Sequence, residues 1–303
     1  MSDGAGRTCP LRYRYGAEAI ARLPAVAAET LYVVGGLYGN RPALDAVEAM
    51  AAAEPGPVTL IFNGDFNWFN VDAAGFADIN RRVLAHLATA GNVESELGVD
   101  GDAAGCGCAY PDHVDGAVVD RSNRIHARLK ATAAGHSDTV AALDRLPMIA
   151  RFAVGGRRIA VVHGDADSLA GWRFDAVALA APENQPWIVE AFRRAEVDIF
   201  ACSHTCLPAL RRFAPGLVVN NGAAGMPNFS GQRYGLLTRI GCRPPNGEAL
   251  YGEVQNGVHV HALPIRYNHA AWVEDFLANW PAGSDAWLSY FQRIDHGPGN
   301  FST

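Results

Sequence analysis

Four side chains able to hold a metal ion, Asp65, Asn92, His163 and His204, each follow an apolar or small-residue segment. They stand in Leu60-Ile61-Phe62-Asn63-Gly64-Asp65, Ala90-Gly91-Asn92-Val93-Glu94, Ile159-Ala160-Val161-Val162-His163-Gly164-Asp165 and Ile199-Phe200-Ala201-Cys202-Ser203-His204. A ligand placed just past a strand end in an α/β protein lies at the carboxyl edge of the sheet, where such folds bind their ligands. The order Asp, Asn, His, His therefore reads as one site. Carboxylate, carboxamide and imidazole donors suit Mn, Fe, Zn or a similar divalent ion. Such an ion helps to cleave a phosphate ester, because it neutralises the anionic oxygens that repel a nucleophile and makes bound water acidic.

The elements that must position these residues follow from periodicity. Residues 30–34 form a β-rich run ended by Gly35-Gly36, and 42–53 follow with alanine-rich helical spacing. Residues 58–62 form the second strand, which delivers Asp65, and helical spacing is read over 76–89. The stretch 97–110, rich in Gly, Asp and Ala, reads as a loop, and 114–133 and 137–145 read as helices. A hairpin is expected where 148–154 and 157–162 flank Gly155-Gly156, its second strand delivering His163. A helix over 188–195, a strand over 198–201, a strand over 217–221 and two strands between 234 and 263 complete the body. Residues 269–293 carry Trp272, Phe276, Trp280, Trp287 and Phe291 and read as helices packed on it. With no repeat or convincing linker, a single domain spanning 1–303 is favoured, with an N-terminal extension (1–29) and a C-terminal helical tail (about 265–303).

Composition excludes several classes. With 49% hydrophobic residues in 303, the chain can bury an extended core, yet no run reaches the roughly 18 apolar residues of a membrane span. Residues 1–10 are polar, include Asp3 and lack the blocks of a secretory signal, so a soluble, cytoplasmic protein is expected. A net charge of −6 argues against an extended nucleic-acid surface. Six cysteines are too sparse for a disulfide scaffold, so reduced thiols are expected, Cys106 and Cys108 included.

The segments Val33-Val34-Gly35-Gly36-Leu37-Tyr38-Gly39-Asn40, Gly64-Asp65, Gly91-Asn92-Val93-Glu94, Val162-His163-Gly164 and Ser203-His204-Thr205-Cys206 resemble, in order, the motifs of the calcineurin-like metallophosphoesterases, particularly their compact bacterial members. The resemblance runs from about Thr30 to Asn228. It implies an α/β fold, a four-layer metallophosphoesterase sandwich of two mixed β-sheets flanked by helices, with the metal site at one end of the sheets. It also implies Asp65 as a bridging ligand and Asn92, His163 and His204 as ligands of the family's second metal, Asp65 and Asn92 thereby holding the water that attacks phosphorus.

This chain departs from the pattern at four places. Gly36 stands where the first motif has Asp, Tyr38 where it has His, Cys206 where the last motif has His, and Val93 where the family often has a catalytic His. Two accounts follow for the first metal: it is lost, or it is rebuilt on Tyr38 and Cys206, whose phenolate and thiolate are competent ligands. One divalent ion (Mn, Fe or Zn) is expected ahead of two. Tyr38, Asn40 and Glu94 are candidates for substrate contact, with packing for Tyr38, loop closure for Asn40 and a place behind the ligands for Glu94 as the other readings. Asp165 and Asp167 could orient the His163 ring or form a turn, Trp68 and Phe69 could wall the site or pack, and Cys106-Gly-Cys108 with His113 lacks the second cysteine pair of a closed zinc site. The functional expectation is a metal-dependent phosphoesterase-like hydrolase with an altered centre, acting on a small phosphorylated or other anionic molecule. The alternative is a catalytically degraded scaffold that serves as a binding or regulatory protein.

Overall fold

Side-chain alternation in the strands builds the layers of this molecule, a computed structural model that describes residues 4–101 and 103–299. Asp3, in the polar N-terminus, position 102 within the predicted loop and 300–303 at the end of the tail lie outside the described residues. In β2, after the two-residue β1 (Val26–Ala27), Leu31 and Val33 of Thr30–Val34 face one way and Tyr32 and Val34 the other, the two-residue period of a strand. Both faces are buried, so both must be covered.

Two mixed six-stranded sheets result. In the first, β2, β3 (Val58–Asn63) and β4 (Leu87–Thr89) run parallel. The other three strands, β10 (Gly235–Gly241), β11 (Tyr251–Gln255) and β12 (Val258–Ile265), continue it in the order β11-β12-β10-β2-β3-β4. The second sheet has the order β1-β5-β6-β7-β9-β8. Its strands are β5 (Ile149–Val154), β6 (Arg157–Val162), β7 (Ile199–Cys202), β8 (Pro208–Arg212) and β9 (Leu217–Asn221), with β6, β7 and β9 parallel. The hairpin expected over Gly155-Gly156 forms, and both glycines have φ near +53° and +76°, the left-handed pair that a two-residue turn between twisted strands requires.

Leu31, Val33, Ile61 and Ile240 of the first sheet meet Phe152, Ile159, Val161, Ile199 and Val219 of the second in one apolar layer. The outer face of the first sheet is covered by α2 (Arg41–Ala52), α3 (Ala73–Val83), α5 (Gly116–Ala133), α9 (His269–Asn279) and α10 (Asp285–His296), and that of the second by α1 (Ala17–Arg22), α7 (Ala176–Ala180) and α8 (Gln185–Ala195). The short α4 (Asn92–Ser95) and α6 (Ser137–Leu143) complete the helices. This is the expected four-layer arrangement of two mixed sheets between helices.

Two readings change. The helical stretch expected over 76–89 ends at Val83, and Leu87–Thr89 is an edge strand; only three residues long, it has no period of its own to set against the preceding helix. Three strands, not two, lie between 234 and 265. The N-terminal extension contributes α1, which packs on α8, and β1, which pairs with β5 at the sheet edge. No helix among the described residues is long and apolar enough to cross a membrane.

Candidate metal centre

The parallel strands β3 and β4 of one sheet and β6 and β7 of the other point their carboxyl ends the same way, and the four candidate ligands sit there. Asn63, the last residue of β3, ties the sheets together: its Nδ2 donates to the Val162 carbonyl at 2.8 Å, and its own carbonyl receives His163 Nδ1 at 2.9 Å. Asp65 follows in a left-handed conformation (φ 54°), the kind of strain that a site can hold when its surroundings fix it. Glu94 fixes it here. Its buried carboxylate accepts the backbone N–H groups of Asp65 (2.8 Å), Phe66 (3.1 Å) and Gly91 (3.2 Å), the last being the back-reaching half of a capping box at the start of α4.

Four atoms converge on one point. His163 Nε2 lies 3.3 Å from Asp65 Oδ2, 3.2 Å from Asn92 Oδ1 and 3.2 Å from His204 Nδ1, and Asp65, His163 and His204 form the one group of His, Cys, Asp or Glu among the described residues close enough to share an ion. The far side of each ligand decides what the near side offers. A carbonyl only accepts, so His163 Nδ1, facing the Asn63 carbonyl, carries its ring's proton, and His204 Nε2, 3.1 Å from the Cys108 carbonyl, carries the other. Asn92 Nδ2 donates to the Cys106 carbonyl at 2.9 Å, which turns Oδ1 inward. With His163 uncharged, Asp65 Oδ2, Asn92 Oδ1, His163 Nε2 and His204 Nδ1 thus present four lone pairs to one another. Buried as they are, they need a cation, and all four have the outer partner that orients a metal ligand, Asp65 Oδ1 accepting the Val93 N–H at 3.3 Å. The donor set fits a divalent ion.

The electrostatics agree. Burial opposes a charge on His163, but the adjacent Asp65 carboxylate outweighs it and raises the ring's basicity; Asp65, also buried, is held below the usual carboxylate range by His163. His204 is pushed down to about 3 by burial and by His163 beside it. Burial and the charge of Asp65 push Glu94 up to about 7.

The other half of the site is closed by protein. Gly36 has φ 66°, and a Cβ there would lie 2.7 Å from Tyr38 Cζ, so the phenol ring occupies the space a side chain at 36 would enter. Tyr38 hydroxyl and Cys206 Sγ lie 2.7 Å apart. Burial pushes the titration of both upward, which keeps their protons on. In this arrangement the phenol and the thiol bond to each other.

Several candidates take other places. Asn40 does not reach the cavity: it is fully buried, caps α2 by accepting Ala43 N–H at 2.9 Å and donates to the Gly225 carbonyl. Glu94 spends its oxygens on backbone amides behind Asp65 and is not among the residues that line the cavity. Asp165 accepts the N–H groups of Asp167, Ser168 and Arg173 and so makes a turn, while Asp167 holds Ala17 N–H and Trp187; the Asn63 carbonyl, not a carboxylate, orients His163. Trp68 walls the cavity, whereas Phe69 packs on Tyr38, Phe276 and Tyr290. Cys106 and Cys108 are paired with each other in a disulfide, which corrects the expectation of reduced thiols there. The carbonyls of Cys106 and Cys108 were invisible to a reading of side-chain types, as was the part of Trp172, whose Nε1 donates to the Cys108 carbonyl and whose ring meets His204 edge-on.

With these strands, ends and ligands in place, the chain can be set beside solved structures. A metallophosphoesterase from Sphaerobacter thermophilus superposes with a TM-score of 0.55 at 16% identity, over 89% of this chain and 100% of that one. The chain has the calcineurin-like metallophosphoesterase fold. A hypothetical protein from Pyrococcus horikoshii OT3 superposes with a TM-score of 0.59 at 15% identity, over 89% of this chain and 98% of that one. No protein-family model and no curated protein matches the sequence.

Proposed function

We propose that this metallophosphoesterase-fold chain is a metal-dependent phosphoesterase-like hydrolase that works with one divalent ion, Mn, Fe or Zn, held by Asp65, Asn92, His163 and His204. The convergence of four buried lone pairs whose protons face outward carries the reading. When bound, the ion would supply charge neutralisation for a phosphoryl group and acidify water. The chain's own residues then divide the work. Asn63, Cys106 and Cys108 carbonyls hold the ligands in register, Glu94 pins the Asp65 turn, and Trp172 covers His204. Val93 is a buried apolar residue with no proton to give, so the leaving group must depart unassisted or take its proton from solvent, and turnover is expected to be slow except with good leaving groups. The proposal includes a small anionic substrate and a cytoplasmic location.

The test is reconstitution of metal-stripped protein with each ion, followed by assay on aryl phosphate mono- and diesters. Metal-dependent turnover that disappears in Asp65→Ala is expected. Metal-loaded protein without such turnover would instead favour the reading as a binding or regulatory scaffold, for which the protein-filled first-metal half is the supporting observation.

A further inference from the structure

A second concavity, of about 760 Å³, is of the size that small ligands occupy, and four arginines line it: Arg7, Arg14, Arg173 and Arg194. Two segments divide it from the metal cavity, for Cys108, Tyr110 and Trp172 line the one and Ala109, Gly171 and Arg173 the other. Arginines elsewhere in this acidic chain find carboxylates, as Arg41 does at Asp275, Arg82 at Glu48 and Arg239 at Glu54. In the cleft only Arg194 does, at Glu18 and Asp167. Among the described residues, no carboxylate lies at ion-pair distance from Arg7, Arg14 or Arg173. Arg7 donates Nη1 and Nη2 to the carbonyls of Pro111 (2.9 Å) and Val114 (2.7 Å), and the Arg173 guanidinium lies over the Trp187 ring at 4.7 Å. Trp187 is held in turn by Asp167, which accepts its Nε1 at 3.1 Å. Carbonyls and a ring fix these two cations without cancelling their charge.

Guanidinium forks without a counter-charge match the oxygens of a phosphoryl group two at a time. Side chains already held in place also lose less freedom when a ligand arrives. A single carboxylate would answer one of the three cations, whereas two linked phosphoryl groups bring roughly three to four negative charges at neutral pH and six acceptor oxygens or nearly so. We propose that this cleft is a second ligand site, separate from the metal centre, that takes a small molecule bearing two linked phosphoryl groups. It requires no ion, and it stands or falls independently of the single-ion centre.

Methylenediphosphonate, whose P–C–P link resists hydrolysis, and malonate, with two carboxylates on the same one-carbon bridge, separate phosphoryl recognition from negative charge alone. Calorimetric titration of the full chain without added metal is expected to show methylenediphosphonate binding about tenfold tighter than malonate. Replacing two exposed cleft residues together, Arg14→Gln with Arg173→Gln, should weaken methylenediphosphonate binding about tenfold or more. Arg211→Gln, at an exposed arginine of β8 that does not line the cleft, should leave it within about twofold. Malonate binding as tightly as methylenediphosphonate, a double variant that binds as well as the unaltered chain, an equal loss in Arg211→Gln, or no binding up to about 5 mM would overturn the proposal.

Discussion

The two halves of the site are built from the same strand ends but solve opposite problems. On the side of β3, β4, β6 and β7, each ligand's outer atom is bound by the main chain, so the inner atoms are bare lone pairs that require a positive charge. On the β2 side, Tyr38 and Cys206 keep their protons, satisfy each other and fill the volume above Gly36. The difference teaches that a metal site is recognised less by which residues are near one another than by where their protons are held. A phenol and a thiol at bonding distance are complete; two histidines, a carboxylate and a carboxamide with their protons turned away are not.

The contrast can be broken most forcefully at His163. His163→Ala removes the atom on which the other three ligands converge, and ion affinity measured by titration should fall by a hundredfold or more, whereas Cys206→Ser should leave it within about twofold. Next in size, Gly36→Asp introduces the Asp of the motif this segment resembles but forces a side chain into a left-handed backbone beneath the Tyr38 ring. It should cost about 1–3 kcal/mol in denaturant unfolding and bring no second ion.

Glu94 sharpens the ion-requiring half. Its folded-state titration near 7, above the ordinary 4.5, means that the neutral form is the one the fold favours. Its contribution to stability is therefore fully present below pH 4.5 and lost as pH rises through about 7. In metal-free protein a carboxyl NMR titration should place Glu94 near 7, and loading the ion should move it downward, since a nearby cation favours the carboxylate. The smallest effect belongs to Tyr38→Phe, which deletes one hydrogen bond in the self-satisfied half. It should cost no more than about 1.5 kcal/mol and leave ion content unchanged.

Much of this was legible because strands buried on both faces read as apolar runs and because ligand types sit one to three residues beyond them, as at Val162-His163 and Cys202-Ser203-His204. What escaped falls into two kinds. Short or polar edge strands carry little period of their own: Leu87–Thr89 merges with the helical spacing before it, and Pro208–Arg212 breaks the apolar pattern with its proline and Arg211-Arg212. Backbone roles were missed as well. The carbonyls of Asn63, Cys106 and Cys108 fix which nitrogen of each imidazole is bare, and no residue type announces a carbonyl. Of the two readings open for Asn40 and for Glu94, the structure takes the internal one: Asn40 caps α2 and Glu94 gathers three backbone amides behind the ligands.

The central proposal is that one half of the site holds an ion and the other does not. Equilibrium dialysis against Mn, Fe or Zn with elemental counting of bound metal per chain tests it directly. One ion per chain, lost in His163→Ala and retained in Cys206→Ser, is the predicted result; two ions, none, or an ion that departs with Cys206 would contradict it.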